Sequence, residues 1–330
     1  MRRREFITLL CGATTAWPFE ALAQQAAQMP HVGIVMGSLD HSEWRLRLDA
    51  FLDSFKNLGW ADGRNVRLDI RWSGGDPRVI AAQVRELVRL KPDVIFAAPT
   101  NVVIPLQKET RSISIVFAGV SDPVGQGVVK NLARPDGNIT GFSNLEYSLM
   151  GKWLQLLKEA APGIKRVGLL ISMGNAASPH WYRMFNAVAP AFAIEPISLP
   201  IKDRGDIEGL IKSLASNPGG ALIVPGDQIV LDPAVRRQII TLAATHRLPA
   251  LYGEMTFAQD GGLICYGIDR VEPFRLAANY VDRILKGEKP SDLPVQQPTK
   301  FQFVINLKTA KALGLEMSPT FVGTADQVVE

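Results

Sequence analysis

VGIVMGS (32–38) and VGLLISM (167–173) repeat one pattern, more of architecture than of letters, one in each half of the 330-residue chain. Each is an apolar, β-favouring run without polar residues at alternate positions, so both of its faces must be covered, as in the interior of a parallel sheet. The pattern extends further. IFAAPTN (95–101) returns as LIVPGDQ (222–228), each with a proline closing the apolar run, and SIVFAGV (114–120) returns as PALYGEM (249–255). NVRLDIRW (65–72) and EPISLPI (195–201) supply a further strand to each half.

Between these strands lie segments of helical period. In the first half they are Trp44–Leu58, ending at Gly59, then Pro77–Leu90 behind the N-cap Asp76, then a helix from about Asn101. In the second half they are Pro179–Ala193, Asp206–Ser216 and Pro233–His246. Strand–helix alternation predicts βαβ units on parallel sheets, and the repeat predicts two α/β lobes. ARPDGNITGFSN (133–144), with its Pro-Asp-Gly turn, reads as the connection between them. GGLICYGID (261–269) runs into an amphipathic helix, Pro273–Leu285. After the turn-rich 286–300, FQFVINLKTAKALGL (301–315) reads as a strand and a short helix. A second and third pass between lobes accommodates these pieces. The first lobe is then 30–142 plus about 268–292, the second 143–267 plus about 293–330 with the C-terminal crossover.

The N-terminal MRRREFITLLCGATTAWPFEALAQ (1–24) has the grammar of an export leader. Arg2, Arg3 and Arg4 form a positive start, Ile7–Phe19 an apolar region, and Ala21-Leu22-Ala23 a small-x-small cleavage pattern. Arg3-Arg4-Glu5-Phe6-Ile7 fits the twin-arginine pattern. The apolar region falls short of the roughly 20 residues a membrane-spanning helix needs. Cleavage near Ala23 and a soluble periplasmic product are expected. Removing the leader takes three of 36 basic and two of 32 acidic residues, so the net charge falls from +4 to +3. That balance gives no footing for nucleic-acid binding. Of the two cysteines only Cys265 survives, so no internal disulfide forms.

In open parallel sheets, ligands bind beyond the carboxyl ends of the strands, where helix N-termini present unpaired N–H groups. This rule nominates Ser38 and Asp40 after the first strand, Thr100 and Asn101 after the third, and Ser121 and Asp122 after the fourth. On the facing wall it nominates Met173 and Asn175, Gly226 and Asp227, and Tyr252 with Glu254. Thr100 and Asn101 read as an anion contact or as helix caps. Asp122, Asp227 and Glu254 read as acceptors for a ligand ammonium or as turn caps. Trp44 and Trp181, early in the first helix of each half, read as aromatic walls of a cleft or as lobe core. Tyr266, at an expected crossing, faces ligand or packs the hinge. The nominated loops hold no obvious arginine, which argues weakly against a dicarboxylate.

Catalytic signatures are scarce. The sequence contains no H-E-x-x-H, G-x-S-x-G, P-loop or G-x-G-x-x-G motif. His31, His41, His180 and His246 show no metal-ligand spacing. No cofactor or metal is expected.

SDPVGQGVVKNLARPDGNITGFSN (121–144), YVDRILKGEKPSDLPVQQPTKF (280–301) and LPVQQPTKFQFVINLKTAKALGLEM (293–317) resemble the ABC-transporter substrate-binding family that includes tryptophan-binding proteins of the TrpX type. The resemblance runs over essentially the whole chain after the leader. It implies a periplasmic binding protein fold of type I, with two Rossmann-like lobes joined by three crossover segments. It also implies capture of a small organic solute, an amino acid or aromatic or organic acid, for delivery to an ABC permease driven by a cytoplasmic ATPase pair. The protein is then a monomer that makes peripheral contact with the membrane complex, and it is not an enzyme. One alternative is a ligand sensor partnering a receptor. Another is an exported two-lobed enzyme such as a racemase, which would need two facing acid–base groups.

Overall fold

The computed structural model describes residues 29–144, 149–174 and 178–330. The leader and Asn175 lie outside the described residues. Among the described residues, no helix is long and apolar enough to cross a membrane.

The first half begins with β1 (His31–Met36), α1 (Ser42–Asn57), β2 (Arg67–Trp72), α2 (Pro77–Arg89), β3 (Val94–Ala98), α3 (Thr100–Glu109), β4 (Ser114–Val120) and β5 (Ile139–Ser143). They form a five-stranded sheet in the order β2-β1-β3-β4-β5, parallel throughout. β1 and β3 are buried along their whole length, as unbroken apolar runs require, while the edge strand β2 is half-exposed. Asp76 caps α2 by accepting from the Arg78 N–H at 2.8 Å, with Pro77 at the first turn. On α1, Trp44, Leu48, Phe51 and Phe55 recur at helical spacing and are buried. Phe51 stacks on Phe96 of β3 with ring centroids 4.3 Å apart.

The second half contains α4 (Leu149–Ala160), β6 (Arg166–Ser172), α5 (Ser178–Val188), β7 (Glu195–Ile201), α6 (Asp206–Ala215), β8 (Gly220–Val224), α7 (Gln228–Leu231), α8 (Pro233–Thr245), β9 (Ala250–Tyr252), α9 (Thr256–Gln259) and β10 (Ile264–Ile268). Its strands run in the order β7-β6-β8-β9-β10, the arrangement of the first sheet over again. The sequence pairs fall on equivalent strands: β1 with β6, β3 with β8, β4 with β9. The helix expected to Ala193 stops at Val188. A 3₁₀ turn over Ala189–Phe192 carries Pro190 near its start and ends on the left-handed Ala193.

The chain then returns to the first lobe. α10 (Glu272–Leu285) follows β10 in sequence but packs on α1 and on β3–β5. Its Phe274 meets Trp44 and Phe96 edge-on, and Asp282 accepts from the Trp60 indole N–H at 2.9 Å. Leu293 and Val295 are still buried against the first sheet. β11 (Phe301–Asn306), α11 (Leu307–Leu313), α12 (Pro319–Val322) and β12 (Gln327–Val329) complete the second sheet beyond β10. Here the sheet departs from the all-parallel expectation, because β11 runs antiparallel to β10. The reason is directional. β6, β8 and β10 run towards the crossings, whereas β11 leaves them.

Three segments therefore cross between the lobes side by side, after Ser143, at 269–271 and near 296–300. The Ser143 N–H donates to the Gln296 carbonyl at 2.9 Å, and the Asp269 N–H donates to the Lys300 carbonyl at 3.1 Å. Helices cover both faces of each sheet, with an apolar layer on either side. Phe96 lies at the meeting of α1, β3 and α10, so Phe96→Ala is expected to cost the first lobe about 3–5 kcal/mol. The check is the urea midpoint of that lobe's unfolding, and an unchanged midpoint would show that the aromatic cluster adds little.

Candidate functional site

The carboxyl ends of both sheets open onto one cleft of about 680 Å³. The first wall comes from Gly37 and Ser38 after β1, Pro99, Thr100 and Asn101 around the start of α3, and Gly119 and Ser121 around the end of β4. Trp44 and Arg47 of α1 complete it. The second wall comes from Ser172 and Gly174 at the end of β6 and Gly226 and Asp227 after β8. Ile268 at the end of β10, Arg270 in the second crossing, and Pro273 and Phe274 at the start of α10 also line it.

Short-range chemistry holds the first wall in place. The Asn101 amide Nδ2 donates to the Gly37 carbonyl at 2.9 Å, and a Cβ on residue 37 would run into Asn101 and Val102. Glycine is required at that close approach. Thr100 Oγ1 accepts from the Ser121 N–H at 3.2 Å, and Ser121 Oγ donates to Asn144 Oδ1 at 2.9 Å. The Gln126 amide donates to the Ser121 carbonyl. Thr100 and Asn101 thus tie strand ends together and do not cap their own helix. The N-cap of α3 is Pro99, with no side-chain cap.

The second wall is organised by an ion pair. Glu254, 4% exposed, takes the Arg270 guanidinium in a two-pronged contact, Nε to Oε2 at 2.7 Å and Nη2 to Oε1. A Cβ at Gly226 would strike both partners. Asp227 is buried at the cleft edge and caps α7, accepting from the Ile229 N–H at 3.1 Å. Burial pushes the Tyr182 phenol up to about 12, and the neighbouring Asp227 adds to the shift.

Arg47 faces this pair from the first wall. Its guanidinium lies 4.5 Å above the centre of the Trp44 ring, and the residue is 7% exposed. Burial first, then the like charge of Arg270, pulls its pKa down to about 10, with Glu254 and Glu43 opposing.

Of the nominated residues, Ser38, Trp44, Thr100, Asn101, Ser121, Gly226 and Asp227 line the cleft. Six of the other described nominees have their partners elsewhere. Asp40 is spent on a surface ion pair with Arg45 at 2.5 Å. Asp122, in a left-handed conformation, accepts from the Gly125 N–H and closes its own loop. Trp181 is core, stacked on Trp153 at 5.0 Å. Tyr252 is 1% exposed and stacks on Phe257 at 4.2 Å. Tyr266 stacks on Phe301 and meets Phe303 edge-on, packing the strand that leads into the second crossing. Glu254 is engaged by Arg270 and offers no free carboxylate for an ammonium.

Sequence reasoning missed Arg47 and Arg270, which line the cleft although the nominated loops themselves hold no arginine. A signal for Arg47 existed, since it interrupts the apolar stripe Trp44, Leu48, Phe51, Phe55. Arg270 follows a strand's carboxyl end, the same rule that nominated the other loops.

Two doubly wound lobes, strand ends facing across a cleft, with three crossings behind, define a two-lobed solute-binding fold of the periplasmic type I class. The chain belongs to the family described as ABC transporter substrate binding protein, which matches residues 32–329. A protein of Clostridioides difficile (strain R20291) called tyrosine-binding protein is 26% identical over 268 residues, covering 81% of this chain and 76% of that one. A ligand-free, open substrate-binding protein with adhesive properties from Clostridium difficile superposes with a TM-score of 0.75 at 25% identity, covering 91% of this chain and 99% of the other. An ABC domain from Streptococcus pneumonia, solved in complex with L-Trp, shares the fold with a TM-score of 0.80 at 24% identity, covering 91% and 99%.

Removing Arg270 strands the buried Glu254 carboxylate. Arg270→Met is expected to cost about 3 kcal/mol, and pairing it with Glu254→Leu should recover most of that loss. Urea denaturation of both variants checks this, and equal losses in the single and double variants would refute the coupling.

Proposed function

We propose that this chain is the extracytoplasmic solute-binding component of an ABC importer, and that it captures an amino acid or an aromatic or organic acid between its lobes. The observation that carries the reading is the shared cleft. Strand-end loops of both sheets line it, so a ligand in it touches both lobes only when they close. Binding then shifts an open–closed equilibrium by the difference in affinity between the two forms. The membrane permease reads the closed shape and receives the solute. The three adjacent crossings provide the hinge about which the lobes move as bodies.

Family membership supports the transport role. The tyrosine-binding relative supports an aromatic amino acid as a first candidate solute. Trp44 and Phe274 at the cleft supply an apolar wall for such a body. The leader supports export to the periplasm, and the protein works as a monomer. Binding without catalysis fits the placement of Cys265, which is buried within β10 with its thiol pushed up by burial.

A thermal-shift screen of the L-amino acids and aromatic carboxylates tests the reading. A solute at 100 times its Kd stabilises the folded protein by about 2.7 kcal/mol and raises the melting temperature accordingly. Small-angle scattering with the same solute should show a smaller radius of gyration. A screen in which no solute shifts the melting temperature or compacts the protein would end this reading.

A further inference from the structure

Arg47 is a buried cation without a satisfactory partner. Its side chain is 9% exposed, and its sole ion pair among the described residues is with Glu43 Oε2 at 3.9 Å, too long for a hydrogen bond. That glutamate is itself 29% exposed. The guanidinium makes no hydrogen bond to any described residue. One face lies on Trp44, and its N–H donors remain for whatever enters the cleft it lines. A desolvated charge left in this state is costly unless something completes it.

The neighbouring groups sharpen the demand. Glu254, the facing-wall carboxylate that acts on Arg47, is held by Arg270, so that wall presents Arg47 with a second cation and a carboxylate already spent. The first turn of α3, on the same wall, has no capping side chain and carries the positive end of its helix dipole. Each of these features is answered by an anion. Guanidinium geometry selects a planar, two-oxygen one. The apolar surfaces of Trp44 and Phe274 beside it suit the body that carries that anion.

We propose that Arg47 is the specificity-determining residue that reads a carboxylate on the bound solute, and that this carboxylate, lying between Arg47 and Arg270, relieves their repulsion and favours closure. The inference rests on the solute-binding reading and deepens it. An acid is accepted, and the same molecule as its amide is refused.

The test is calorimetric titration of matched acid and amide pairs: L-tryptophan with L-tryptophanamide, L-tyrosine with L-tyrosinamide, and phenylacetate with phenylacetamide. The wild-type protein should prefer the acid of a bound pair by about 30-fold or more, the scale of a charge-assisted two-pronged contact. Arg47→Met keeps the stem on Trp44 but removes the charge, and should reduce that preference to about threefold or less, with affinity for the amide little changed. Arg47→Lys keeps the charge without the fork and should fall between the two. It also decides the matter if the methionine variant does not fold, since an unreduced preference in Arg47→Lys counts against the proposal. Persistence of the full acid preference in Arg47→Met, or its absence in the wild type, overturns the assignment while leaving solute binding intact. If no acid or amide binds but a neutral solute compacts the protein, the carboxylate proposal falls and the binding reading stands. If no solute binds at all, both fall.

Discussion

A parallel strand can be followed by another in the same sheet only after the chain has climbed back over one face, and that constraint organises this molecule. Every βαβ return covers a face with a helix, so β1, β3, β6 and β8 are buried on both sides and read as unbroken apolar runs. Every return also leaves strand carboxyl ends and helix N-termini on the same edge. Two such sheets, each in the same strand order, have two such edges. The crossings hold them on either side of one cleft. β11 runs against its neighbour because it starts where the others end.

The chemistry of the cleft follows from what each wall has already used. The first wall spends its amides and hydroxyls on itself, as Asn101 holds Gly37 and Thr100, Ser121 and Asn144 form a chain. The second spends Glu254 on Arg270 and Asp227 on the start of α7. Arg47 is the charge that these internal arrangements leave over. The cleft is thus less polar in practice than its residue names suggest, and its unspent polarity is cationic.

Much of this was legible beforehand, for identifiable reasons. The duplicated strands, the helix start at Asp76 and Pro77, and the binding edge are local or periodic features, written in contiguous residues. Seven of the nominated residues line the cleft, six of them because strand-end position is a matter of chain order. Other nominated side chains lie outside the cleft lining because they have partners elsewhere. Trp181 had Trp153 to stack on, Tyr252 had Phe257, and Asp40 had Arg45 at the surface. Arg47 escaped notice because it lies inside a helix and the strand-end rule looks only at the loops after strands.

The amino-acid order alone determined that there are two matched α/β units and which edge of each carries the loops, because hydrophobic period and turn chemistry act over a few residues. Tertiary structure decided that α10 docks on the first sheet, that Glu254 belongs to Arg270, and that Arg47 has no hydrogen-bonded partner among the described residues. Those outcomes depend on distances between residues remote in the chain. Whether a charge is free or neutralised is a property of its neighbours in space.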